Sequence, residues 1–168
     1  MKHSKLGLVI LGASAAMIAG IAQVMAATDT TTFTVSATIV QDCNLSATNL
    51  AFGNYDAAGG SPLDATSPID VYCSNGTPYS LALNVGSGGG TFASRTMSGG
   101  GGNLGFNLYT SAAHTVVWGD GTGATAAIDG TGVGLLTAAT HTVYGRVASG
   151  QDLAPGAYAS TITVTVTF

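Results

Sequence analysis

The sequence predicts an all-β protein, a Greek-key sandwich of immunoglobulin type. Three observations predict it. Apolar residues recur with a period of two in run after run, and no window of helical length shows a period of about 3.6. Glycine clusters and turn-forming dipeptides separate the runs at short intervals, without intervening helices. Charged residues make up only 7% of the chain, so the solvent faces of the strands are covered by Thr and Ser rather than Lys and Glu. Disordered chains lack regularly spaced aromatic and β-branched residues, which this chain carries throughout.

The chain opens on an export signal. Lys2, His3 and Lys5 make a basic start, Leu6 to Ile21 form an apolar run, and Val24-Met25-Ala26-Ala27 suit signal peptidase. Cleavage is expected after Ala26, with Ala27 the alternative. The run is short for a bilayer span and a cleavage site follows at once, so no stable membrane insertion is expected after the signal is removed. Residues 27–168 are a suitable length for one domain, and no period of about 20–50 residues repeats. They keep only Arg95 and Arg146 against eight aspartates, with no lysine and no glutamate. Two arginines cannot build a basic surface, which excludes nucleic-acid binding.

The strands follow in order. Phe33, Val35, Ala37 and Ile39 alternate with Thr and Ser, and Leu50 and Phe52 precede a Gly-Asn turn. Ile69, Val71 and Cys73 share a face, as do Tyr79, Leu81, Leu83 and Val85. Leu104, Phe106 and Leu108 repeat the pattern, then Val143, Gly145 and Val147, and last Ile162, Val164, Val166 and Phe168. Each run has strand length and a half-buried character. The breakers between them are Asn75-Gly76-Thr77-Pro78, Gly86–Gly90, Gly99–Gly102, Gly119-Asp120-Gly121, Asp129-Gly130 and Pro155-Gly156.

Cys43 and Cys73 are the two cysteines of a chain sent to an oxidising compartment, and they read as one disulfide. Closing a loop of about 30 residues should contribute roughly 3–4 kcal/mol in the chain-entropy model. Two isolated thiols without a paired histidine motif make a poor metal site. Catalysis is not expected either: with His114, His141 and scattered serines there is no Gly-x-Ser-x-Gly elbow and no His-x-x-x-His pair. His141 reads as a surface or turn residue, and Arg146 as the partner of an aspartate that the sequence does not identify. Gly119–Gly123 and Asp129-Gly130 read as turns rather than a calcium loop, since several close oxygen ligands are not in sight. The glycine clusters read as surface connections, and the tyrosines and Trp118 as core or rim. No metal and no cofactor is expected.

The two ends are the most informative part. Both terminal runs are long, flat and uncharged, whereas ordinary domains trim or cover such edges because unpaired backbone templates association. Pairing of the N-terminal run within its own domain and donation to another copy are the two alternatives that the residues allow.

The sequence resembles the spore coat protein U domain family, which includes subunits of archaic, Csu-like chaperone–usher pili. The resemblance rests on Phe33-Thr34-Val35-Ser36-Ala37-Thr38-Ile39-Val40 leading to Cys43, Leu50-Ala51-Phe52-Gly53-Asn54-Tyr55, and Tyr72-Cys73-Ser74-Asn75-Gly76-Thr77-Pro78-Tyr79. It continues through Asn107-Leu108-Tyr109, Val117-Trp118-Gly119-Asp120-Gly121-Thr122-Gly123, Val143-Tyr144-Gly145-Arg146-Val147 and Pro155-Gly156-Ala157-Tyr158. It implies an incomplete immunoglobulin-like Greek-key sandwich that lacks its final strand and is completed by a donor strand.

On that expectation residues 1–26 are the signal, 27–41 the donor segment and 42–168 the pilin sandwich. The donor strand inserts Phe33, Val35, Ala37 and Ile39, with Ala37 marking a shallow pocket. The acceptor groove, which a periplasmic chaperone grips first, lies beside Ile162, Val164, Val166 and Phe168. The implied partners are further copies of the chain in a linear homopolymer, that chaperone and an outer-membrane usher. The place is the surface of a Gram-negative bacterium and the role adhesion and biofilm formation, as a shaft or minor subunit. The rival is a monomeric secreted module, glycan-binding or coat-associated.

Overall fold

Strict alternation gives a strand one apolar and one polar face, and two such sheets hide their apolar faces only against each other. The computed structural model of the chain describes residues 25–168, so the expected export signal lies, but for its last two residues, outside the described part. The chain divides into two units, one up to Ala37 and one from Thr38 to Phe168. In the first, residues 25–37 carry no strand, and Phe33 and Val35 are 86% and 82% exposed.

The second unit is all β, with no helix among its residues. Its strands are β1 (Cys43–Ala47), β2 (Leu63–Cys73), β3 (Pro78–Leu83), β4 (Gly90–Thr91), β5 (Ser94–Gly99) and β6 (Gly102–Tyr109). They continue with β7 (Val117–Trp118), β8 (Thr125–Ala126), β9 (Ile128–Thr131), β10 (Ala139–Val147), β11 (Tyr158–Ala159) and β12 (Val164–Thr167). One sheet runs β1-β2-β10-β6-β5-β11, with β4, β7 and β8 as short additions, and the other runs β12-β3-β9. Every pairing is antiparallel except the short β7–β8 contact. The result is an immunoglobulin-like sandwich.

The core is built from the alternating faces that the sequence displays. Ile69, Val71 and Cys73 of β2, Tyr79, Leu81 and Leu83 of β3, Leu104, Phe106 and Leu108 of β6, and Val143 and Val147 of β10 are all buried, with Trp118 closing the set. Cys43 and Cys73 face each other in the β1–β2 register and form the disulfide, their Cα atoms 4.1 Å apart.

Four expectations are corrected. The run 33–40 is not a strand, and Ile39 is 92% exposed; alternation confers the capacity to pair, and a strand exists only once it has paired. Asp129-Gly130 is not a turn but part of β9, opposite Ser80 and Tyr79. A side chain at Gly130 would run into the Tyr79 ring, so the glycine serves packing. His141 is not a surface residue: it is half-buried on β10, and its Nε2 lies 2.7 Å from the Tyr79 hydroxyl. Val85 lies beyond the end of β3 rather than within it.

Candidate functional site

The site begins at the edge of the smaller sheet. β12 pairs β3 on one side, Val164 opposite Leu83 and Val166 opposite Leu81, and among the described residues pairs no strand on the other. Its exposed face is Thr163, Thr165 and Thr167, while Ile162, Val164 and Val166 are half-buried against the core. Just before it, β11 still belongs to the larger sheet, Tyr158 opposite Gly99. The chain therefore crosses from one sheet to the other over residues 160–163, and the two sheets part along that line.

The facing wall is the segment after β1. Thr48 donates its amide to the Pro68 carbonyl, and the Ser67 hydroxyl donates back to the Thr48 carbonyl. Leu50 and Phe52 lie on Gly145, where a Cβ would meet Phe52 Cζ at 2.8 Å and Leu50 Cδ1 at 3.0 Å. Phe52 also meets Phe106 edge-on at 6.2 Å. Gly53, at φ 79°, turns the chain away where a side chain would strain it. Tyr55 then donates to the Ala148 carbonyl at 2.9 Å and accepts from the Gln151 amide at 2.8 Å.

Between these walls lies a trough. One part, of about 420 Å³, runs between Ala47–Leu50 and Tyr158–Val164 over a floor of Ile69, Leu83, Phe106, Leu108 and Val143. A second, of about 740 Å³, continues between Leu50–Tyr55 and Gln151–Tyr158 over Met97, Leu104 and Val147. The two share Leu50, Phe52, Met97 and Tyr158. Among the described residues no acidic or basic side chain lines either part. An apolar floor beneath an open backbone edge suits an extended apolar peptide.

Of the residues predicted for the groove edge, Ile162 and Val164 line the trough, Val166 packs on the core outside its lining, and Phe168 is 52% exposed. Phe33, Val35, Ala37 and Ile39 are all exposed. Sequence reasoning named the disulfide and the edge but missed the floor and Arg95. Arg95 is completely buried on β5, and its pKa is pushed down to about 10 by burial. A fold-level signal existed in the spacing of Arg95 and Met97, but a charge at an inward position hides a strand. The partner of Arg146 is Asp64, held by two hydrogen bonds of 2.7 Å.

The comparisons agree with this architecture. The spore coat protein U domain matches residues 29–165. No curated protein matches the chain. Among solved structures, the chain is similar to a chain of the CsuC–CsuE chaperone–tip adhesion subunit pre-assembly complex from archaic chaperone–usher Csu pili of Acinetobacter baumannii. The TM-score is 0.53 at 23% identity, over 78% of this chain and 40% of that one. This chain thus spans well under half of the solved chain's length, and the likeness is one of fold. The domain match extends over most of the chain, and the chain belongs to the spore coat protein U domain family.

Proposed function

We propose that the chain is an exported, non-enzymatic subunit of a bacterial surface pilus that polymerises by donor-strand complementation and serves adhesion and biofilm formation. The observation that carries this reading is the uncovered β12 edge beside an apolar, uncharged trough. An added strand satisfies the free N–H and C=O groups of that edge and sets alternate side chains into the trough. Phe33, Val35, Ala37 and Ile39 offer such a face. Burying the three larger side chains at roughly 1.5–3 kcal/mol each gives a gross gain of about 5–9 kcal/mol before ordering costs. In this scheme residues 27–41 of one copy are lent to the 42–168 domain of the next.

The similar solved chain comes from a complex of a chaperone with a tip adhesion subunit, which supports a periplasmic chaperone as first occupant of the trough. An outer-membrane usher then exchanges it for the next subunit's arm. The experiment is electron microscopy of the purified chain with and without residues 27–40. The full chain is expected to form thin, denaturant-resistant fibres, and the deletion to remain a folded, disulfide-bonded monomer. Fibres from the deleted form, or a full chain that stays monomeric, would overturn the reading.

A further inference from the structure

Arg95 is a buried cation whose partners are all neutral. Its Nε and Nη2 donate to the Asn84 carbonyl at 3.1 and 2.9 Å, Nη2 also to the Trp118 carbonyl at 2.7 Å, and Nη1 to Asn107 Oδ1 at 2.8 Å. The guanidinium lies over the Phe92 ring, 5.2 Å from its centroid. No carboxylate is within salt-bridge distance among the described residues. A buried charge without a counter-ion costs free energy that an apolar side chain would not, so what the charge holds in place matters.

It holds the end of the β3–β12 ladder. The register that sets Leu83 opposite Val164 sets Asn84 opposite Thr163. A regular antiparallel pair would exchange both bonds, Asn84 N–H to the Thr163 carbonyl and Thr163 N–H to the Asn84 carbonyl. Only the first is made, at 3.1 Å. Arg95 has taken the Asn84 carbonyl, and the Thr163 amide donates instead to Asn84 Oδ1 at 2.8 Å. The same guanidinium holds Trp118, whose indole donates to the Leu81 carbonyl, and the next residue, Gly119, accepts from the Leu83 amide. β3 is thus braced on the side away from β12 beyond Leu81, where its pairing with β9 ends. Thr163 stands between Ile162 and Val164, both in the wall of the trough.

We propose that Arg95 is the positioning residue of the acceptor edge: by drawing the Asn84 carbonyl out of the ladder it fixes where β12 stops pairing with β3, and so holds Thr163 and the lip of the trough in receptive geometry before a partner strand arrives. The proposal rests on the strand-acceptance reading above. The fork geometry, not the charge, is the active property, because a lysine ammonium cannot reach three acceptors in one plane.

The test compares Arg95→Met, Arg95→Lys and Asn84→Ala in the full chain, by amide hydrogen exchange in the monomeric fraction and by the rate of assembly into denaturant-resistant oligomers. Both Arg95 variants should exchange the Thr163 amide at least about tenfold faster while amides of the β2–β10 pair stay within about threefold. Both should also assemble about tenfold more slowly, since a frayed edge is a poorer template. Asn84→Ala leaves the buried charge and its bonds to the Asn84 carbonyl in place but removes the side-chain acceptor of the Thr163 amide, so it frees that amide directly. Its assembly should slow likewise, and it carries the assembly half of the test if the Arg95 variants do not fold.

A uniform rise in exchange, an Arg95→Lys protein that behaves as wild type, or selective fraying with unchanged assembly would each overturn the role. A wild-type chain that never assembles overturns strand lending and this role with it. The exchange pattern then tells separately whether Arg95 sets the ladder end.

Discussion

Tyr79 on β3 and His141 on β10 join the two sheets through the core, hydroxyl to Nε2 at 2.7 Å and rings edge-on at 5.9 Å. Burial lowers the His141 pKa below its ordinary value and raises that of Tyr79. An unfolded histidine binds a proton near pH 6.5, the folded one only at lower pH, so the unfolded state takes up protons first. The stability from this pair is therefore complete above about pH 6.5 and is lost as pH falls from there through the lowered folded value. Melting temperature should drop between about pH 7.5 and 5, and His141→Gln should flatten that drop. Parallel pH profiles for the two proteins would exclude His141 as the source. The Arg146–Asp64 pair acts in another range: the Arg146 hydrogen bond, partly opposed by desolvation, holds the Asp64 carboxyl below the usual carboxylate value. Its contribution is present above that ordinary value and fades in stronger acid. Both side chains are more than a third exposed, so Arg146→Gln should shift the denaturant midpoint only slightly, and not measurably at high salt.

At the scale of elements, the wall of the trough depends on Gly145. Gly145→Val would drive a side chain into Leu50 and Phe52, and overpacking of this kind costs about 1–3 kcal/mol. Urea titration should register that loss, and the Gln151 amide, which donates to the Tyr55 hydroxyl, should exchange faster as the wall is displaced. A Gly145→Val protein with unchanged midpoint and unchanged Gln151 exchange would show that the segment is not seated on this glycine. The inward faces of β2, β3 and β6 are legible in the sequence at Ile69, Val71 and Cys73, at Tyr79, Leu81 and Leu83, and at Leu104, Phe106 and Leu108, which alternate without interruption. β10 is legible at Val143 and Val147 but not at His141, whose polar ring hides its inward place. β5 is not, because the residue it turns inward is Arg95, and charge at a core position breaks the period that reveals a strand. β9 hides for the opposite reason: Asp129-Gly130 carries a turn signal although its glycine makes room for the Tyr79 ring.

At the scale of the whole molecule, only the edges of the site are legible. Ile162 and Val164 can be placed on a strand from their alternation, and beside an open groove through the family resemblance. The floor cannot be read in the same way, since Ile69, Leu83, Phe106 and Val143 come together only through the sheet order β2-β10-β6 and its packing on β3. Under the proposed strand lending each copy has one arm and one trough, and the two functions can be removed separately. Copies without residues 27–40 can accept but not lend. Copies with Ile162→Arg, which sets an unpaired charge in the wall of an apolar trough, can lend but not accept. Neither variant alone should form fibres, and a mixture of the two should give dimers and nothing longer, read as a single species by light scattering after size exclusion. Small amounts of either, added to growing wild-type chains, should shorten the fibres in proportion to the mole fraction added, because each cap ends growth at one pole. Oligomers longer than two in the mixture, or no dimers at all, would sink the one-arm, one-trough assembly.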